Sequence, residues 1–259
     1  MSARAVRRRC AARPGRTLAL LLAAVLPGPA RAEVGALRYD PKADVALTAA
    51  AAAVSGALST RWLRPSGCNV CGTNELDERV RDALVWRAPG NARLASDVIA
   101  SGVLPVGAAA SLIASASRKG RTSAALVDLL VVGEAVAFAE LPNAIAKDAF
   151  ARRRPNGGNS SFYSGHTSLA FSVAAAAGTV STMRGYEAAP WVWAGGMALA
   201  AGVGYLRVAG DAHWATDVVA GAAMGGLIGF AVPWFLHRPA GAGRRWTAVS
   251  APGGLAILF

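Results

Sequence analysis

A chain of 259 residues with only three histidines places two of them in clusters of charge. Lys147 and Arg154 are seven apart, and Pro155 follows. Ser164-Gly165-His166 comes next. Arg207 then precedes His213 and Asp217. Three cations can clamp one tetrahedral anion, arginine by a planar fork and lysine as a point charge. A histidine can attack phosphorus if a carboxylate holds its other ring nitrogen. A second histidine can protonate the leaving oxygen. The set has the parts of a phosphotransfer site that carries its own positive charge, so no metal and no cofactor is expected.

Each part also has an ordinary explanation. Arg152, Arg153 and Arg154 could be a basic cluster snorkelling at a membrane edge. Ser164 could be a plain N-cap, with its free first-turn N–H groups making an anion site only if a ligand is there. Gly165 would let a ligand come close to the backbone. His213 and Asp217 are spaced i, i+4 and could be a surface helix pair. His237, beside Arg238 and Pro239, reads as a membrane-edge residue.

Helices must position these groups. Six apolar segments lie near 44–60, 96–117, 122–146, 166–183, 190–206 and 213–236, none alternating with period two. Residues 74–86 suit a polar surface helix. The tail 247–259 suits a short hairpin or a loose end. The expected fold is all-α: one helical bundle of about six core helices, membrane-embedded, spanning 33–259.

Composition supports a membrane. The chain is 54% hydrophobic and only 16% charged. Its net charge of +12 is concentrated, since residues 1–32 hold seven arginines and no acid. No basic stripe with interleaved aromatics follows, so no nucleic-acid partner is expected. Residues 1–32 read as an export signal: a basic start, a short apolar run at 17–26, a Pro27-Gly28-Pro29 break and Ala30-Arg31-Ala32. Export leaves Cys68 and Cys71, whose CxxC spacing fits a redox pair, half a metal site or a clip. In an oxidising compartment a structural disulfide is favoured.

Basic residues set the orientation. Arg118, Lys119 and Arg121 join segments two and three; Arg184 joins four and five; Arg238, Arg244 and Arg245 follow six. If segments two to six cross and segment one does not, these regions are cytoplasmic and the three clusters face outside. Asp97, Asp128 and Glu134 sit in or beside apolar runs and need partners there.

Taken together and in this order, the three clusters resemble the signature of the type 2 phosphatidic acid phosphatase superfamily, which includes class A acid phosphatases and vanadium haloperoxidases. The resemblance spans 147–217. It implies that Lys147, Arg154 and Arg207 bind phosphate, with Ser164 and Gly165 lining the pocket. It further implies that His213 attacks phosphorus, Asp217 orients it and His166 protonates the leaving oxygen. Tyr163 stands where the family has proline, and Leu206 where it has serine. The function expected is hydrolysis of a lipid phosphate or diphosphate through a phosphohistidine, at the periplasmic face of a bacterial inner membrane. A soluble periplasmic acid phosphatase, a haloperoxidase and a non-enzymatic membrane protein are the alternatives.

Overall fold

The computed structural model describes residues 37–60, 67–238, 247–251 and 254–258. The segment 1–32, read as an export signal, lies outside the described residues. Seven helices are present among them. They are α1 (Pro41–Leu58), α2 (Glu75–Leu84), α3 (Pro89–Arg118), α4 (Thr122–Phe150), α5 (Gly165–Met183), α6 (Ala189–Ala209) and α7 (Ala215–Leu236). The tail forms an antiparallel hairpin, β1 (Thr247–Ala251) with β2 (Gly254–Leu258), in register from Thr247 opposite Leu258 to Ala251 opposite Gly254.

Local chemistry explains the helix limits. Asp40 caps α1 by accepting from the Lys42 and Ala43 amides, and Pro41 fills the first helical position. Asn74 caps α2. Within α3, a π-helical turn at Ile99–Val103 lies just ahead of Pro105, whose ring removes a backbone donor. Another π turn, Val232–Leu236, surrounds Pro233 at the end of α7.

Helix α5 is the centre of the bundle and is buried along most of its length. Helices α4, α6 and α7 pack around it, with α3 against its flank and α1 along α4. Ala100 and Leu104 of α3 meet Ala170 and Val173 of α5 and Val203 of α6 in one apolar cluster. A second cluster joins Leu112, Val131, Val180 and Val232. On α7, Gly221, Gly225 and Gly229 face the α5 backbone. A Cβ at Gly221 would lie 2.6 Å from the Ser164 carbonyl oxygen, and one at Gly229 would lie 2.5 Å from that of Ser172. At Gly225 it would overlap the Ser168 carbonyl outright. Only glycine permits backbones this close.

Helices α3, α6 and α7 are long and apolar enough to cross a membrane. They turn large apolar side chains outward, among them Val106 and Ile113, Trp191 and Leu199, Leu227 and Phe235. The architecture is a membrane-embedded helical bundle. The sequence suggested five crossing segments. Helix α4 carries Asp128 and Glu134 in its apolar run, and α5 is buried along most of its length.

One of those acids is fully paired inside the bundle. Asp128, fully buried, accepts from the Arg184 Nε at 2.6 Å and from the Tyr186 hydroxyl at 2.6 Å. Arg184 is therefore a buried counter-ion as well as a loop cation. Lys119 and Glu187 approach to 3.6 Å, which places the α3–α4 and α5–α6 loops at one end of the bundle.

Candidate active site

At the opposite end, the last turns of α4 and α6 meet the first turns of α5 and α7. Helix α4 stops at Ala151, which takes a left-handed conformation with φ of 38°. At a spacing of seven, Lys147 and Arg154 would share one helix face only if the helix continued past Arg154. Instead Arg154 stands on a tight turn, its amide donating to the Gly158 carbonyl at 2.7 Å and its Nε to Asn159 at 3.1 Å. The two cations reach the site by different routes, Lys147 from the helix and Arg154 from the loop.

Ser164 caps α5, its hydroxyl oxygen accepting from the Thr167 amide at 3.4 Å. Gly165 leaves no room for a side chain. A Cβ there would lie 2.9 Å from the Lys147 Nζ and 3.1 Å from the Asn143 Oδ1. The lysine thus lies directly against the first turn of α5. Asn143 is held in place by donating to the Tyr163 carbonyl at 2.9 Å.

Arg207 is buried at the end of α6 and donates to Asp97 at 2.6 Å and to the Ser96 hydroxyl at 2.9 Å. Its Nε has no partner among the described residues. His166 Nε2 lies 3.0 Å from the same Asp97 oxygen. One carboxylate therefore bridges the arginine and the histidine. Lys147, Arg154 and Arg207 all act electrostatically on His166, and Arg154 and Arg207 act on His213. The five side chains converge on one place.

His213 differs from the sequence expectation in one respect. It lies in the loop before α7, so the i, i+4 helix pairing with Asp217 is not formed. Its Nδ1 is 3.8 Å from the Asp217 carboxylate but 2.9 Å from the Ser161 backbone carbonyl. A carbonyl only accepts, so Nδ1 carries the proton and Nε2 keeps its lone pair. Asp217 acts one atom further out. It accepts from the Ser161 hydroxyl at 2.5 Å and from the Trp214 amide at 3.0 Å, which fixes the loop that presents the ring. Burial pushes the His213 imidazole down to about 4, with Asp217 opposing and Arg154 and Arg207 adding to the push.

That shift has a measurable sign. The folded value lies below the ordinary 6.5, so stability from keeping the ring neutral is complete above pH 6.5 and is lost as pH falls toward 4. The acid limb of kcat/KM should therefore fall near pH 4. A pH–rate profile, with activity checked after return to neutrality, measures it. A limb near pH 6.5 would contradict a neutral His213.

Four residues outside the sequence-derived set complete the site. Arg152 is buried and donates to Asp217 at 2.6 Å and to Asp77 at 2.7 Å. Asp77, from the surface helix α2, also accepts from the Thr216 amide and hydroxyl at 2.9 and 2.7 Å. Ser161 links Asp217 to His213. Asp97 bridges His166 and Arg207. Asp97 left a sequence signal, as a carboxylate at the start of an apolar segment, and Arg152 only as one of three adjacent arginines. Cys68 and Cys71 are joined in a disulfide, in the loop whose Val70 carbonyl accepts from the Arg153 amide at 3.1 Å.

The bundle gathers three cations and two histidines at one end, an arrangement that can hold an oxyanion. Residues 128–239 match the family model of the PAP2 superfamily. The lipid A 1-phosphatase of Porphyromonas gingivalis is 34% identical over 103 residues. That match covers 39% of this chain and 22% of the relative's length. A transmembrane PAP2-type phosphatidylglycerolphosphate phosphatase from Bacillus subtilis has a solved structure that is 23% identical, with a TM-score of 0.47. That likeness covers 74% of this chain and 94% of the other.

Proposed function

We propose that this protein is a lipid phosphate phosphatase that works through a phosphohistidine. The observation that carries the reading is the fixed tautomer of His213, set beside three cations. The His213 Nε2 lone pair attacks phosphorus, forming a P–N bond as the bond to the leaving oxygen breaks. Lys147, Arg154 and Arg207 neutralise the non-bridging oxygens, which carry most charge when phosphorus is five-coordinate. His166 gives its proton to the leaving oxygen. Water then attacks the phosphohistidine, His166 takes a proton from it, and inorganic phosphate leaves with His213 restored. The incoming phosphate would displace Asp97 from Arg207 and His166. No step needs a metal at the phosphate.

The outward apolar belt of α3, α6 and α7 supports a lipid substrate, as does the similarity to a lipid A 1-phosphatase. We test this by phosphate release in detergent, across lipid monophosphates and diphosphates, with EDTA present. Turnover per folded molecule should be unaffected by EDTA and abolished by vanadate, which can mimic five-coordinate phosphorus. Loss of that turnover in EDTA with rescue by a divalent ion would refute the metal-free step. Release from soluble esters alone would refute the lipid class.

The basic loops support a site on the periplasmic side of an inner membrane. Fusions at residue 119 and in the loop 184–188 should leave an export-dependent reporter silent. An active reporter at either position would reverse the orientation.

A further inference from the structure

His237 is buried inside the bundle and does not project outward. It is 1% exposed, as is Glu134 of α4, and its Nε2 lies 3.2 Å from Glu134 Oε2. The distance is short, yet the geometry does not make a hydrogen bond. Nε2 and both Glu134 carboxylate oxygens are buried with no hydrogen-bond partner among the described residues. A bare carboxylate inside a bundle is costly unless something cationic meets it.

The histidine is already oriented for that. Its Nδ1 lies 2.9 Å from the Arg38 carbonyl, so Nδ1 carries the proton and the Nε2 lone pair faces Glu134. The Arg38 amide donates back to the His237 carbonyl at 3.2 Å, and Tyr39 stacks on the ring. A backbone carbonyl behind an imidazole is the usual outer support of a metal-binding histidine. Asp44, on the first turn of α1, completes a trio whose ligand atoms lie within 4.8 Å of one another. One Asp44 oxygen accepts from the Asp40 amide at 2.7 Å, and a carboxylate has lone pairs to spare.

We propose that Asp44, Glu134 and His237 form a binding site for a divalent transition-metal ion, zinc in the first instance. Zinc bonds of about 2.1 Å in tetrahedral geometry put neighbouring ligand atoms roughly 3.4 Å apart, close to the spacing found for Nε2 and Oε2. Asp44 has to move in to close the shell, and the fourth position is left for water. One nitrogen and two carboxylates suit zinc better than magnesium, which favours an all-oxygen octahedron. The ion would staple α1 to α4 and to the end of α7. Helix α1 needs a staple, because it is largely alanine and only Ala51 and Ser55 on it are buried. The site is structural. Glu134 and Lys147 are thirteen residues apart on one helix, roughly 20 Å along its axis.

The test uses the full chain in detergent, purified without a polyhistidine tag and stripped by chelator. Zinc uptake is measured by elemental analysis and by titration, with the melting temperature as a second readout. The expected result is one ion per chain and a higher melting temperature with zinc. His213→Ala, which alters the phosphate site, should take up zinc normally. Changing an outer-shell partner alone typically costs about 10–100-fold in metal affinity, so Glu134→Gln and His237→Gln should lose at least that much. Should either fail to fold, Asp44→Asn carries the test. Its amide oxygen can still accept from the Asp40 amide, and at least tenfold weaker binding is expected. A wild-type chain that binds no zinc, or an Asp44→Asn chain that binds it unchanged, overturns the proposal and leaves a buried histidine–carboxylate pair.

Discussion

His213→Ala is expected to leave no phosphoenzyme and to lower turnover by on the order of 10⁴-fold or more, the scale of removing a nucleophile. His166→Ala should behave differently. It removes a proton donor, so its cost depends on the leaving group. With a lipid or alkyl phosphate the loss should be about 10²–10⁴-fold. With nitrophenyl phosphate, whose phenolate leaves unprotonated, a phosphoenzyme should still form. Rapid-quench trapping of the acid-labile phosphohistidine with both substrates separates the roles. Equal loss in both variants on both substrates would show that the division of labour is wrong.

The second large effect falls on a residue that need not touch substrate. Arg152→Ala would leave Asp77 and Asp217, both fully buried, facing one another without their shared cation. Breaking a buried pair in this way costs about 3–5 kcal/mol. The damage should also reach chemistry, because Asp217 sets the loop that holds His213. Arg152→Lys should recover part of the stability and little of the activity, since an ammonium lacks the planar fork whose two arms reach the two carboxylates. Thermal unfolding measures the first effect. Vanadate affinity beside kcat measures the second, and a loss of kcat with vanadate affinity intact would mark a positioning residue. Wild-type stability in Arg152→Ala would mean that the two carboxylates find another partner.

The helices were legible because glycine, proline and charge punctuate long apolar runs, and their boundaries in the structure lie within a few residues of the expected ones except at the start of α3. The sequence singled out Lys147, Ser164, Gly165, His166, Arg207, His213 and Asp217 as three ordered clusters, and the structure brings them to one end of the bundle. What spacing could not reveal was the backbone between them. Three adjacent arginines look alike in sequence. The left-handed turn at Ala151 is what sends Arg152 inward and frees Arg154 to follow the loop. His213 and Asp217 fit a helical register by number, yet α7 starts two residues after the histidine. Asp77 reads as an ordinary first-turn acid of a surface helix. Its distant partners, Arg152 and Thr216, leave no local trace.

The glycines of α7 have a consequence for how this protein tolerates its surroundings. Gly221, Gly225 and Gly229 seat α7 on the main chain of α5. His166 opens one of these helices, and His213 and Asp217 lead into the other. The gap between the proposed acid and the proposed nucleophile is therefore ruled by backbone against backbone, with no flexible side chain in between. Bilayers of different thickness can tilt α3 and α6 separately, but α5 and α7 can respond only as a rigid unit. Growth temperature and fatty-acid composition should then leave the spacing of the two histidines untouched.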